Sequence, residues 1–74
     1  MIWQMHAPDE WRFGEMVRGV VREPYYAEIY FDEDKNPSWI WFVRSNPLQR
    51  GTANYFEMAI QETEKIMIEM GLIE

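Results

Sequence analysis

Sixteen consecutive residues, Tyr55 to Met70, contain neither glycine nor proline, and no other stretch constrains this chain as strongly. At about 100° per residue, Tyr55, Phe56, Ala59, Ile60, Thr63, Ile66, Met67 and Met70 fall within one ~140° sector. Glu57, Gln61, Glu62, Glu64, Lys65 and Glu69 lie outside it, and so do Met58 and Ile68. The spacing predicts an amphipathic helix over about 55–70. Asn54 with Glu57 three residues on has the form of a capping box, with Thr52 a competing cap. Gly71 suits the residue just past the helix end. Such a helix must bury its apolar stripe against something, and everything upstream of it reads as extended.

Four extended segments are expected before the helix. The first, about 10–13, puts Trp11 and Phe13 on one face and Arg12 on the other. Gly14 then marks a turn or bulge. The second, 15–22, is weakened at Gly19 and ends at Glu23-Pro24, where proline removes a ladder donor. The third, 25–32, alternates: Tyr25, Ala27, Ile29 and Phe31 point one way, Tyr26, Glu28, Tyr30 and Asp32 the other. After a turn at Glu33–Pro37, the fourth, 38–44, has Trp39, Trp41 and Val43 on one face and Ile40 and Phe42 on the other. Two apolar faces suit a strand flanked by others and at least partly covered on both sides. Ser45-Asn46-Pro47 through Gly51 reads as a loop. The expected fold is α+β: one domain spanning 1–74, a three- to four-stranded antiparallel β-meander packed on one C-terminal helix. One helix covers one sheet face, so the other, carrying Tyr26, Glu28, Tyr30 and one set from the fourth strand, is left to solvent or a partner.

The chain has 74 residues and no cysteine, so disulfides and cysteine-based metal sites are excluded. Stability must come from apolar burial, to which twelve aromatic residues contribute large areas. Dimerisation is the other usual remedy for a small core. The net charge is −6, unevenly spread. Residues 9–34 hold eight acids and three bases, residues 35–53 hold Lys35, Arg44 and Arg50 with no acid, and residues 54–74 hold five acids and one base. Such acidity repels phosphate backbones and favours a basic protein surface as partner, including the nucleic-acid groove of another protein. No run approaches the ~20 apolar residues of a membrane span. The start has no positive region before an apolar run, so no secretory signal is expected, and the cytoplasm is the expected location.

Motifs for chemistry are sparse. His6 is the only histidine and has no serine or cysteine that the sequence places beside it, which makes it a surface residue. Asp32-Glu33-Asp34-Lys35-Asn36 begins like a calcium-binding loop, but Pro37 stands where the glycine belongs and Val43 where the bidentate glutamate belongs. An acidic hairpin turn accounts for it. The aromatic residues suggest a base-stacking sheet, but neither the glycine-rich aromatic motif nor nearby bases accompany them, so core and cross-strand packing is the better account. No catalytic residue, cofactor site or metal site is expected, and the chain does not read as an enzyme. Glu57, Glu62, Glu64 and Glu69 on the helix, with Asp32, Glu33 and Asp34, could be solvated acids or could imitate a phosphate track. In the second reading Met58 and Ile68 add apolar contact, and Tyr26 and Tyr30 on the uncovered sheet face complete a partner-binding set.

The order of motifs resembles a recurrent type of small acidic phage or prophage protein. The matching residues are Trp11, Gly14, Tyr25–Ile29, Ser38–Val43 and Gly51–Ala59, and they span most of the chain. Anti-CRISPR inhibitors of host defence are among proteins of this build. The resemblance implies a binding inhibitor without catalytic residues, acting in the host cytoplasm. The chain departs from the pattern at Ile66, Met67, Ile68 and Met70, which replace a more alanine-rich run. The alternative is a self-associating structural module, suggested by the two-sided apolar fourth strand and the small core.

Overall fold

The computed structural model describes residues 2–45 and 47–73; Met1, Glu74 and Asn46, the last assigned above to a loop, lie outside them. The described residues are α+β, as expected. Five antiparallel strands, β1 (Ile2–Ala7), β2 (Glu10–Gly14), β5 (Ala27–Phe31), β6 (Trp39–Val43) and β7 (Gln49–Ala53), form a sheet in the order β1-β2-β5-β6-β7. A two-stranded hairpin, β3 (Met16–Val17) and β4 (Val20–Val21), interrupts the run between β2 and β5, so the path is not strictly a meander. Helix α1 (Phe56–Glu69) packs on β5, β6 and β7.

The predicted faces of β2 and β6 are those observed. Trp11, Phe13, Ala27, Ile29, Trp41, Val43 and Ala53 stack through the ladder registers Trp11↔Ile29↔Trp41 and Phe13↔Ala27↔Val43. Ala59, Thr63 and Met67 are the fully buried residues of α1, and Phe56, Ile60 and Ile66 flank them. The Thr63 hydroxyl is satisfied inside the helix, 2.8 Å from the Ala59 carbonyl oxygen and 2.9 Å from that of Ile60.

Four expectations are corrected. The segment 15–22 is a hairpin and no single strand. Arg18 and Gly19 both have positive φ, 55° and 80°, which is the backbone of a tight type I′ turn. The N-terminal residues form β1, and Gln49–Ala53 forms β7 where a loop was expected. The helix cap is Tyr55, with no side-chain cap hydrogen bond; Thr52 is drawn into β7, and Asn54 does not cap. Tyr55 and Met70 are exposed, at 65% and 42%, and leave the core stripe. The helix stops at Gly71 (φ 75°), as predicted, with Leu72 N–H donating to the Met67 carbonyl and Gly71 N–H to that of Ile68. This paired closure turns the chain back, so that Leu72 and Ile73 pack against the core in place of Met70.

Gly51 explains why β7 exists. It pairs with Trp41, and the indole covers it. A Cβ built there would overlap Trp41 Cζ2 and lie 2.7 Å from Cε2. The ring thus occupies the place of the missing side chain. Replacing Gly51 with alanine must push the indole off its seat, which overpacks the core. Gly51→Ala is expected to destabilise the fold by about 1–3 kcal/mol, measured by urea unfolding. Alanine at Leu48, which is exposed, should cost less than about 0.5 kcal/mol.

Candidate functional site

Three surfaces carry the residues singled out above, and they do not merge into one. The first is the outside of α1. Helical geometry lines up Glu57, Gln61, Glu64 and Ile68 in one ridge and Met58, Glu62, Lys65 and Glu69 in the next. Met58 and Ile68 are 41% and 52% exposed, as their position outside the apolar sector predicts. Gln61, Glu64, Lys65, Ile68 and Glu69 line an open depression of about 460 Å³. The described ion pairs involve no α1 side chain.

The second surface is the turn between β5 and β6. The Asp34 N–H donates to Asp32 Oδ1 at 3.0 Å, the Lys35 N–H to the Asp32 carbonyl, and Ser38 Oγ to the Lys35 carbonyl. One acid is thus used to fold the turn. Asp32, Glu33 and Asp34 nevertheless share an open depression of about 490 Å³ with Pro8, Asp9, Tyr30 and Phe31. Phe31 packs on Trp39, which packs on Phe56. The acidic turn therefore lies at the N-terminal end of the helix.

The third surface is the sheet face away from α1, and its register could not be read without β7. Tyr30 pairs with Ile40 and Ile40 with Thr52; Phe42 pairs with Arg50. Tyr30, Ile40, Phe42, Leu48 and Arg50 border one depression of about 230 Å³, with Trp41 beside them. Tyr30, Ile40, Arg50 and Thr52, with Lys35, border another of about 280 Å³. No acid lines either. The sequence showed residues 35–53 to be free of acids but gave Leu48, Arg50 and Thr52 no place on a face. The nearest signal was Gly51 ten residues after Trp41, the spacing a short hairpin needs to set glycine against indole.

Tyr26 does not join this face. The alternation breaks at Tyr25–Tyr26: Tyr26 packs against the core cluster, while the buried Tyr25 ring lies between two guanidinium groups, 4.5 Å from Arg12 and 4.3 Å from Arg44. Strand β5 begins only at Ala27, so strand alternation does not extend to Tyr25, and the two cations are attracted to its ring faces. Arg12 also donates from Nε to Glu28 Oε2 at 2.9 Å, and Glu23 lies 3.9 Å from its Nη1. Burial acts against the charge on Arg12, but the Glu28 hydrogen bond and the nearby Tyr25, Glu28 and Glu23 hold its pKa above the ordinary value. These groups are tied to one another and serve the fold.

His6 is exposed in edge strand β1, where the register with β2 shifts between Met5 and Ala7. Among the described residues no helix is long and apolar enough to cross a membrane. No family model matches the chain, and no curated protein or solved structure matches it. The likeness to small phage proteins thus rests on the residue pattern alone.

The Arg12 cluster yields a measurable expectation. Arg12 and Glu28 side chains are 21% and 12% exposed, so truncating one partner strands the other in a poorly hydrated place. Arg12→Ala is expected to cost about 2 kcal/mol, below the 3–5 typical of fully buried pairs. The double change Arg12→Met with Glu28→Leu should recover most of that loss in chemical denaturation.

Proposed function

We propose that this chain is a non-catalytic binding protein that occupies a basic surface on a nucleic-acid-handling protein and, in the form the phage resemblance implies, inhibits it. The observation that carries the reading is the outer face of α1, where the exposed Glu57, Glu62 and Glu69 and the half-buried Glu64, with one base, Lys65, flank the exposed Met58 and Ile68. Apolar side chains framed by four acids and one base suit a partner with bases around an apolar patch: charge steers the encounter and desolvated apolar contact holds it. The acidic turn at the helix N-terminal end offers a second patch of the same sign.

The charges of α1 separate binding from folding. Glu57 sits in the first turn and no base sits in the last, where Glu69 opposes the helix dipole. Reversing Glu69 therefore relieves an unfavourable interaction, whereas reversing Glu57 creates one. The test uses Glu62→Lys, Glu64→Lys and Glu69→Lys together, leaving Glu57 in place. Immobilised chain is exposed to bacterial lysate in a salt series. Proteins retained by the original chain are expected to be basic, to be released by added DNA and by high salt, and to bind the triple variant at least about tenfold more weakly. Equal retention by a folded triple variant would sink the proposal.

A further inference from the structure

We infer that the outer edge of β7 docks an extended acidic segment of another protein, which adds to the sheet as a further strand antiparallel to β7. The inference stands apart from the proposed function, since it uses none of the α1 acids.

The ladder fixes which backbone groups of β7 face outward. The Arg44 N–H donates to the Tyr26 carbonyl and the Asp32 N–H to the Ser38 carbonyl. Hydrogen-bonded and non-hydrogen-bonded pairs alternate along an antiparallel ladder, so Glu28↔Phe42 and Tyr30↔Ile40 are hydrogen-bonded pairs as well. Ile40 and Phe42 thus turn their backbone groups toward β5, and Trp39, Trp41 and Val43 turn theirs toward β7. The partners of these three are Ala53, Gly51 and Gln49. Arg50 and Thr52 therefore direct their N–H and carbonyl groups out of the sheet, where β7 has no neighbouring strand among the described residues. Both residues are exposed.

The edge lacks the devices that keep strands from adding to a sheet. At the opposite edge β1 carries a register shift between Met5 and Ala7. β7 has no register shift, no proline and no charge on its inward face, where Gln49, Gly51 and Ala53 stand.

The side chains beside the edge set the chemistry of the occupant. Arg50 shares a row with Phe42 and Glu28, but the Glu28 carboxylate is held by Arg12 at 2.9 Å, and Arg50 takes part in no described ion pair. Arg50 borders both acid-free depressions, with Leu48 and Phe42 in one and Lys35, Ile40 and Thr52 in the other. A residue added opposite Arg50 projects on the same face as its guanidinium, so a carboxylate there gains a charge-assisted hydrogen bond. An apolar side chain opposite Thr52 reaches the depression that Thr52, Arg50 and Ile40 border. Main-chain bonds supply affinity in such an addition, and alternate side chains supply specificity. A second copy suits the edge less well. Pairing β7 with β7 about Arg50 or Gly51 sets the two Arg50 side chains opposite or diagonal to each other.

The test uses the full chain and a fluorescein-labelled peptide, Ser-Thr-Leu-Val-Glu-Thr-Ser, read by fluorescence anisotropy. In antiparallel register its glutamate stands opposite Arg50, its valine opposite Gly51 and its leucine opposite Thr52. Saturable binding with a dissociation constant below about 1 mM is expected. N-methylation of the glutamate or the leucine removes an N–H that donates to β7 and should weaken binding at least about tenfold. N-methylation of the valine, whose N–H points away from β7, should change it less than about twofold. Arg50→Glu should weaken binding at least about tenfold, and a peptide with lysine in place of its glutamate should recover the loss. Thr52→Pro removes an outward donor that β6 does not use, so the fold should hold while binding falls. The N-methylated peptides leave the protein untouched and decide the matter if a variant fails to fold. Absence of saturable binding overturns the inference, and so do equal losses from all three N-methyl groups. A dimer in sedimentation that Thr52→Pro dissolves would assign the edge to a second copy and overturn it as well.

Discussion

The rest of this fold depends on one ring lying on one glycine. Trp41 is nearly the largest side chain the core could hold, and Gly51 is the smallest possible partner; across the β6–β7 ladder the two together fill the space of an ordinary pair. Because the indole lies flat over β7, the sheet can end in a strand with little β-propensity of its own, and α1 can descend onto β5, β6 and β7 without meeting a step. The arrangement has a cost: the indole N–H of Trp41 is buried without a hydrogen-bond partner among the described residues, a loss of about 1–3 kcal/mol. The packing of Trp41 with Ile29, Val43 and the inner face of α1 must exceed that loss for the strand to stay.

Elements whose local pattern agrees with their burial were legible from sequence. The inner stripe of α1 from Phe56 to Met67, its stop at Gly71 and the alternation of β2 and β6 follow from period and composition, and the structure reproduces them. Elements that exist only because of a distant partner were not. Gln49–Ala53 has no apolar alternation, and its strand character comes from Trp41. Ile2–Ala7 becomes a strand by pairing with β2. Arg18-Gly19 is a hairpin turn in a stretch whose valines suggest continuous strand, and there the positive φ of both residues decided the outcome. At Tyr25–Tyr26 the error was one of face, because nothing local announces that two distant arginines, Arg12 on β2 and Arg44 just past β6, will claim one ring.

The same division holds for the surfaces. The exposed acids of α1, with Met58 and Ile68 among them, can be read from a helical wheel, since solvent exposure on a lone covering helix depends on angle alone. The acid-free face needs three strand registers at once. Tyr30, Ile40, Phe42 and Arg50 come from three strands and meet only when β7 is in place. Charge counts along the chain placed three bases in residues 35–53, but Arg44 leaves for the Tyr25 ring, and its departure concentrates the remaining positive charge beside Arg50 and Lys35.

The β3–β4 hairpin bears on how much of the sheet is available over time. It lies against the face over β1 and β2, where Gln4 donates to the Gly19 carbonyl and accepts from the Val21 N–H, and where Val21 sits so close to Gly14 that an added Cβ would be 3.1 Å away. Two strands of two residues hold little free energy of their own, and Met16, Val17 and Val20 remain exposed. The hairpin is therefore the segment that opens at the least cost, well before the five-stranded sheet yields. Each opening uncovers Gly14 and the Gln4 side chain and widens the exposed face toward β1. The width of that face is thus tied to the two hydrogen bonds of one glutamine.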